Sequence, residues 1–292
     1  MLSILIPTYN YNTFPLVKEL YNQCISCNII FEIICLDDAS SDYSIENQNI
    51  NKLSNCYYYT NKKNLGRTTT RNKLVDKAIY DWFLFLDSDV IPVNSNFIKN
   101  YLSYIGSKYN IVLGGYCYQD ILPNTNSEFR YKYGKEREEK PAVERNQSPY
   151  KYIFSGNFLI QKTTFLNTNY KEEENHYGMD VLFSYQLFIK KTNILHIENP
   201  IYHLGLETNE KFFTKSLKAV ESRKKFLIDS VHIEKTSPLI KAYKSLKKYK
   251  LVLIVALVFK IIEPILKRKI LNNNPNLLCF DIYRLGYICT LK

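Results

Sequence analysis

The sequence predicts an α/β protein, a mainly parallel sheet with flanking helices, that continues into a basic helical extension. Three observations carry that expectation. Apolar runs short enough for strands alternate with stretches of helical periodicity up to about residue 208. Strands separated in this way are joined by right-handed crossovers that cover both faces of a parallel sheet. Beyond Thr208 the sequence becomes helical and its charge uneven: between Lys235 and Lys269 ten Lys/Arg stand against Glu263 alone, so this segment holds +9 of the net +11 of the 292-residue chain. The patterns divide the chain into an α/β domain, 1–210, and a helical, basic C-terminal region, 211–292.

With 46% hydrophobic and 23% charged residues, the chain can bury a full core and is not disordered as a whole. Its seven cysteines form no paired framework, and Cys24 and Cys27, inside the first expected helix, read as buried thiols in a reducing cytosol. Met1 runs directly into Leu2-Ser3-Ile4-Leu5-Ile6 without the basic segment of a secretory leader, and Pro7 stops the run.

Residues 2–6 are the first expected strand, closed by Pro7-Thr8-Tyr9-Asn10. Leu16, Val17, Leu20 and Cys24 at helical spacing predict a helix from Phe14 to Cys27. Phe31 to Leu36 is the second strand, followed by Asp37-Asp38-Ala39-Ser40-Ser41-Asp42, and Tyr57 to Tyr59 is the third. Asn64-Leu65-Gly66-Arg67 opens a helix that runs through Ala78 and leads into Trp82-Phe83-Leu84-Phe85-Leu86, a buried strand ended by Asp87-Ser88-Asp89. Ile111 to Leu113 is a strand, and the polar, Tyr-rich residues 116–154 read as a long lid or binding loop. Residues 155–160 return to strand, Val181 to Ile189 to helix, and Ile194 to Ile197 and Ile201 to Gly205 are short final segments.

Ligands of open α/β sheets collect outside the carboxyl ends of the strands. Three strands end there in polar sequence, at Thr8/Asn10, Asp37/Asp38 and Asp87/Asp89, with an Arg-bearing helix start between them. One acidic strand end is ordinary turn and capping chemistry. Two of them, with the Arg-bearing helix start between, form a polar mouth on one rim. The carboxylates Asp87 and Asp89, one residue apart where the strand gives way to a loop, suit Mg²⁺ or Mn²⁺, which take hard oxygen ligands and complete their shells with water and substrate phosphates. Asp180, at or near the start of the helix at 181, is electrostatically favoured there and can cap that helix.

The most apolar run, Leu251 to Phe259, falls short of the ~20 residues a membrane span needs. Lys247, Lys248 and Lys250 on one side and Lys267-Arg268-Lys269 on the other make it read as an interfacial helix on an anionic membrane surface. A buried core helix with solvated ends is the other reading.

Taken together, Ser3-Ile4-Leu5-Ile6-Pro7-Thr8-Tyr9-Asn10, Leu36-Asp37-Asp38-Ala39-Ser40-Ser41-Asp42, Asn64-Leu65-Gly66 with Arg71-Asn72, Leu86-Asp87-Ser88-Asp89 and Ser155-Gly156-Asn157-Phe158 resemble, in order, the motifs of a family 2 glycosyltransferase. The resemblance covers about residues 1–210 and implies the GT-A fold, a Rossmann-like sheet. The second stretch is similar to the family's Asp-Asp-Gly-Ser-x-Asp, with Ala39 at the glycine. Tyr133 to Glu138 and the basic tail resemble bacterial cell-surface polysaccharide transferases.

The resemblance implies an inverting transfer from a nucleotide-sugar donor, with uracil as the expected base, to a hydroxyl of a glycan or polyprenyl-linked acceptor. It places Pro7, Thr8, Tyr9, Asp38, Arg71, Asp87 and Ser88 around the nucleotide sugar. Asp89, Asp87 and His203, in His203-Leu204-Gly205, become the ligands of Mn²⁺ or Mg²⁺. Asp180 is the catalytic base. Where the family reads Gly-x-Glu-Asp the chain reads Tyr177-Gly178-Met179-Asp180, so the base is Asp180 or one of Glu172–Glu174. His176, His196 and His232 have no comparable support. The expected location is cytoplasmic, peripheral to the inner face of the cell membrane.

Rival classes leave their own marks. A nucleotidyltransferase would carry a glycine-rich phosphate loop near the first strand, and Pro7 to Asn12 has no glycine. A nucleic-acid binder would need exposed stacking platforms, whereas the basic tail is interleaved with aliphatic runs, so no nucleic-acid partner is expected. The altered Gly-x-Glu-Asp leaves open a degenerate transferase that binds sugar nucleotides without catalysis.

Overall fold

The computed structural model describes residues 1–120, 126–170 and 177–292. In chain order, β1 (Leu2–Thr8), α1 (Phe14–Ser26), β2 (Phe31–Asp37), α2 (Ser44–Gln48), β3 (Cys56–Thr60), α3 (Arg67–Lys77) and β4 (Trp82–Leu86) alternate. Then follow β5 (Val90–Pro92), α4 (Phe97–Leu102), β6 (Ile111–Leu113), β7 (Tyr116–Cys117), α5 (Glu128–Tyr133), α6 (Ala142–Gln147), β8 (Asn157–Gln161), α7 (Lys162–Thr168), α8 (Asp180–Ile189), β9 (Ile194–His196) and β10 (Ile201–His203). Four helices close the chain: α9 (Asn209–Leu227), α10 (Pro238–Lys248), α11 (Val252–Ile270) and α12 (Leu277–Thr290).

Two compact units are interleaved along the chain. The first comprises 1–118, 139–175 and 189–205, the second 119–138, 176–188 and 206–292. The last crossover falls between Gly205 and Leu206, and two earlier segments also belong to the second unit.

In the first unit a seven-stranded sheet has the order β3-β2-β1-β4-β8-β6-β9. β1, β2, β3 and β4 run parallel, and β8 runs antiparallel to both β4 and β6. The expected mainly parallel sheet is therefore observed, with one reversed strand. β1, β2 and β4 are buried almost throughout because α1 and α3 cover them, which explains their continuous apolar sequence. Glu32, buried in β2, is satisfied by the Ser3 hydroxyl at 2.6 Å and the Ile79 N–H at 2.8 Å, so its charge clips β2 to β1 and to the turn before β4.

The region 116–154 differs from the long loop expected. It contains β7, α5 and α6, whose six-residue helices are too short to show a period in the sequence. α6 also supplies Arg145, only 1% exposed, which donates to the carbonyls of Lys140, Leu113, Gly114 and Ile197 and to His196 Nδ1. With Arg145 donating to Nδ1, the proton of His196 sits on Nε2 and is donated to Pro149 O at 2.9 Å. Gly115 has φ +90°, and a Cβ there would lie 2.7 Å from the Arg145 guanidinium. The cluster pins β6, β9 and α6 together.

The second unit is helical. Phe129 of α5, Phe212 and Phe213 of α9, Phe259, Leu266 and Ile270 of α11, and Phe280 and Tyr283 of α12 form its main core. No helix among the described residues is long and apolar enough to cross a membrane.

His196 yields a pH prediction. Burial pushes its pKa from 6.5 down to about 4, opposed by the hydrogen bond to Pro149 O and aided by Arg145. Between those values the unfolded chain binds a proton that the folded chain refuses, so stability rises with pH across that window and is lost as pH falls from 6.5 towards 4. Chemical denaturation should show this residue costing about 2 kcal/mol at pH 5 relative to pH 7.5. His196→Gln should remove that part of the pH dependence.

Candidate active site

β4 delivers two carboxylates to the rim. Its five residues are buried between β1 and β8, and the chain leaves the sheet immediately after Leu86. The Asp87 N–H donates to Gly156 O at 3.2 Å, and a Cβ at Gly156 would collide with the Asp87 carboxylate, so only glycine fits this approach. Arg67 Nη2, at the first residue of α3, meets both Asp87 oxygens at 2.5 and 2.6 Å. One turn on, Arg71 Nη2 reaches Asp87 Oδ1 at 3.1 Å and also donates to Ser155 O. The Arg71 guanidinium lies 5.6 Å from the Phe85 ring centre and 6.0 Å from that of Phe158, which fixes it by cation–π contact. Burial alone would raise the Asp87 pKa, but Arg67, Arg71 and His203 outweigh it and hold the carboxyl below its ordinary value.

Asp89 is placed by a second, three-stranded sheet of order β5-β10-β7. β10 pairs antiparallel with β5, setting His203 opposite Val90, and the Leu204 N–H donates to Asp89 O at 2.8 Å. As a result His203 Nε2 stands 3.4 Å from Asp89 Oδ2. A Cβ at Gly205 would run into the Asp89 carboxylate, which gives the glycine of His203-Leu204-Gly205 a steric reason. Burial pushes the Asp89 carboxyl up; His203 opposes this and Asp87 adds to it. The rings of Tyr116 and Tyr118 lie 5.8 Å from His203. Tyr11 completes the surroundings: its phenol is pushed up by burial and then by Asp89 and Tyr43. Ser88 is half-buried between the two acids.

β1 and β2 end in register, Thr8 opposite Asp37, and the Asp38 N–H donates to Thr8 O at 2.9 Å. The buried Thr8 hydroxyl accepts from Thr13 Oγ1 at 3.2 Å. Pro7 is half-buried and Tyr9 exposed beside it. Asp37 holds Tyr58 and the Ser40 N–H. Asp38 accepts from Asn61 Nδ2 and the Leu65 N–H at 2.9 Å and from the Gly66 N–H at 2.8 Å, so it anchors the Asn64-Leu65-Gly66 turn that aims α3. Directly after Asp38, Ala39 adopts φ +62°, a left-handed conformation that glycine takes without strain.

Asp180 belongs to the second unit and is the first residue of α8, where a carboxylate meets the positive end of the helix. Gly178, φ +83°, leaves no room for a Cβ beside Ala219 of α9. Met179 is buried and apolar, so of the two residues around it only Asp180 carries a charge. Burial and the neighbouring Arg284 bring the Arg223 pKa down to about 10, with Tyr133 and Asp180 acting the other way, which places Arg223 and Asp180 in one electrostatic neighbourhood. Glu172–Glu174 lie outside the described residues, as does His176.

Among the described residues no three His, Cys, Asp or Glu side chains converge into a self-sufficient metal cage. The donors present still fit Mg²⁺ or Mn²⁺. Such ions are held through one or two carboxylates and take their other ligands from water and substrate phosphates, and Asp89 with His203 at 3.4 Å offers a carboxylate and an imidazole on one rim. Asp87 is already engaged by two arginines and is the weaker donor of the pair. Arg67 and Tyr11, not among the expected site residues, also stand at the rim. Arg67 is readable from spacing, since residues four apart on a helix share a face and it precedes Arg71 by four.

The family model described as glycosyl transferase family 2 matches residues 3–175, more than half of the chain. The chain belongs to glycosyltransferase family 2. This transferase is 23% identical over 248 residues to EpsH of Bacillus subtilis, a protein with a provisional glycosyltransferase name, covering 80% of this chain and 70% of that one. Other curated relatives, from Rickettsia and Haemophilus influenzae, are matched over 14% to 50% of their length. Among solved structures, S. aureus TarS 1–349 in complex with UDP-GlcNAc has a TM-score of 0.51 at 19% identity, over 98% of this chain and 90% of that one. The chain spans 42% of the longer TarS structure. The mannosyltransferase PcManGT from Pyrobaculum calidifontis, in complex with GDP-Man and Mn²⁺, has a TM-score of 0.56 at 14% identity, over 82% of this chain and 68% of that one. These likenesses establish the GT-A fold.

Ala39 gives a test of the turn after β2. Ala39→Gly should raise stability by about 1 kcal/mol, because a left-handed residue costs that much with a Cβ. Denaturant midpoints check it, and a loss of stability would show that the turn is held differently.

Proposed function

We propose that this transferase moves a hexosyl or N-acetylhexosaminyl group from a UDP-sugar to a hydroxyl of a glycan or polyprenyl-linked acceptor in cell-surface polysaccharide synthesis, with inversion at the anomeric carbon and with Mn²⁺ or Mg²⁺ as the resident ion. The observation that carries this reading is the Asp89–His203 pair at the sheet rim, held beside an Asp87 already neutralised by Arg67 and Arg71. TarS in complex with UDP-GlcNAc and PcManGT in complex with GDP-Man and Mn²⁺ support the donor class and the ion by analogy.

The division of labour follows from the chemistry of the step. A divalent ion held by Asp89 and His203 would supply Lewis-acid stabilisation to the departing diphosphate. Pro7, Thr8, Tyr9, Asp38, Arg71, Asp87 and Ser88 surround the nucleotide sugar, so the donor is oriented before it reacts. Asp180 takes the proton of the acceptor hydroxyl as that oxygen bonds to the anomeric carbon. The bond from that carbon to the β-phosphate oxygen breaks, its electron pair leaves on the nucleoside diphosphate, and a single displacement inverts the centre.

Asp89→Ala should abolish metal-dependent turnover of a UDP-sugar, and persistence of that turnover would overturn the metal assignment. Asp180→Asn should lower kcat by about 10²–10⁴-fold while UDP binding stays unchanged. If Glu173→Gln has that effect and Asp180→Asn does not, the base lies within Glu172–Glu174.

A further inference from the structure

The outward side of α11 is apolar where a soluble helix would be polar. Leu253, Leu257 and Ile261 are 76%, 63% and 77% exposed, and Ile254, Val258 and Ile265 are exposed as well. At ~100° per residue these six side chains occupy one sector about 140° wide. The opposite side of the helix carries Phe259, Leu266 and Ile270, which are buried in the core of the second unit. The helix is therefore apolar on both sides, and only one of them is covered by the described residues.

The charges around the uncovered sector are of one sign. Lys260 borders it on one edge and Lys269 on the other, with Arg268 at its C-terminal end, and all three are exposed. Lys247, Lys248 and Lys250, also exposed, precede the helix, together with the exposed Tyr249 and Leu251. The one acid of the segment, Glu263, is turned to α12, where it accepts from the Tyr283 hydroxyl at 2.6 Å. On α12, Leu278 and Ile282 are exposed too.

Charge complementarity selects the occupant. A second copy docked through the same sector would bring two lysine-bordered faces together, like charge on like charge, in a two-fold contact. An anionic lipid surface matches both parts: acyl chains take the apolar sector, phosphates take the lysines at its edges, and long basic side chains reach the headgroup level with their stems in apolar contact. Crossing the bilayer is a different matter, since Lys260 and Glu263 break the apolar run of the continuous helix, and no helix among the described residues is long and apolar enough to span.

We infer that α11 lies flat on an anionic membrane surface, with Leu253, Leu257 and Ile261 inserted among the acyl chains and Lys260, Arg268 and Lys269 at the phosphates. This attachment is independent of the catalytic reading, because it uses no residue of the sheet rim.

Vesicle flotation of the full chain tests it. The protein should float with vesicles of phosphatidylglycerol and phosphatidylcholine, at least tenfold more than with phosphatidylcholine alone, and the difference should shrink as salt rises. The double variant Leu257→Glu/Ile261→Glu changes only exposed positions; it should keep the wild-type melting temperature and UDP binding while losing flotation. Lys247→Gln/Lys248→Gln/Lys250→Gln should weaken flotation on the anionic vesicles alone. Failure of the wild type to float, or flotation of the double variant at the wild-type level, would overturn the inference. So would a concentration-dependent dimer by light scattering that Leu257→Glu abolishes, since that would assign the face to a second copy.

Discussion

Asp87 and Asp89 sit two residues apart at the end of a fully buried strand, and the rim is organised around the repulsion between them. Two carboxylates in a partly dry site do not both stay ionised without compensation. The fold answers with a different partner for each. Asp87 receives two guanidiniums from successive turns of α3, whereas Asp89 receives a single imidazole from β10. The first acid is thereby held ionised by two cations, while the second is pushed up by burial and by Asp87 and opposed by His203 and, less, by Arg67. That asymmetry is the physical basis for separating the two roles, and it depends on elements far apart in sequence.

How each partner arrives differs. α3 is aimed by Asp38, whose carboxylate gathers the Leu65 and Gly66 N–H groups, so an acid from the end of β2 positions the arginines that neutralise an acid at the end of β4. His203 arrives by the pairing of β5 with β10, and the close approach is possible because residue 205 is glycine. Asp38 thus has a local structural duty in addition to the nucleotide contact the family resemblance implies.

Much of the first unit was legible in the sequence, because its strands are continuous apolar runs and its helices keep their period. β1, β2 and β4 with their polar ends could be read directly, and Asp180 falls at the start of α8 as its neighbours' spacing indicated. The small sheet was not legible: β5, β7 and β10 are two or three residues long, too short for alternation to appear, and Val90 and Tyr116 pair with residues about a hundred positions away. α6 was hidden for a similar reason, and its Arg145 is buried through five neutral partners that no local pattern encodes. In the second unit the sequence marked the apolar run at 251–259, but which of its side chains face outwards depends on the packing of α11 against α12.

In the proposed reaction Asp89 and His203 form a site that an ion and a diphosphate complete together. Calorimetric titration of the intact chain with UDP, in the presence and absence of Mn²⁺, measures that dependence directly. The account predicts that Mn²⁺ tightens UDP binding at least tenfold, or about 1.4 kcal/mol, and that the gain disappears in His203→Ala. Equal affinity with and without the ion, or a gain that survives His203→Ala unchanged, would contradict it.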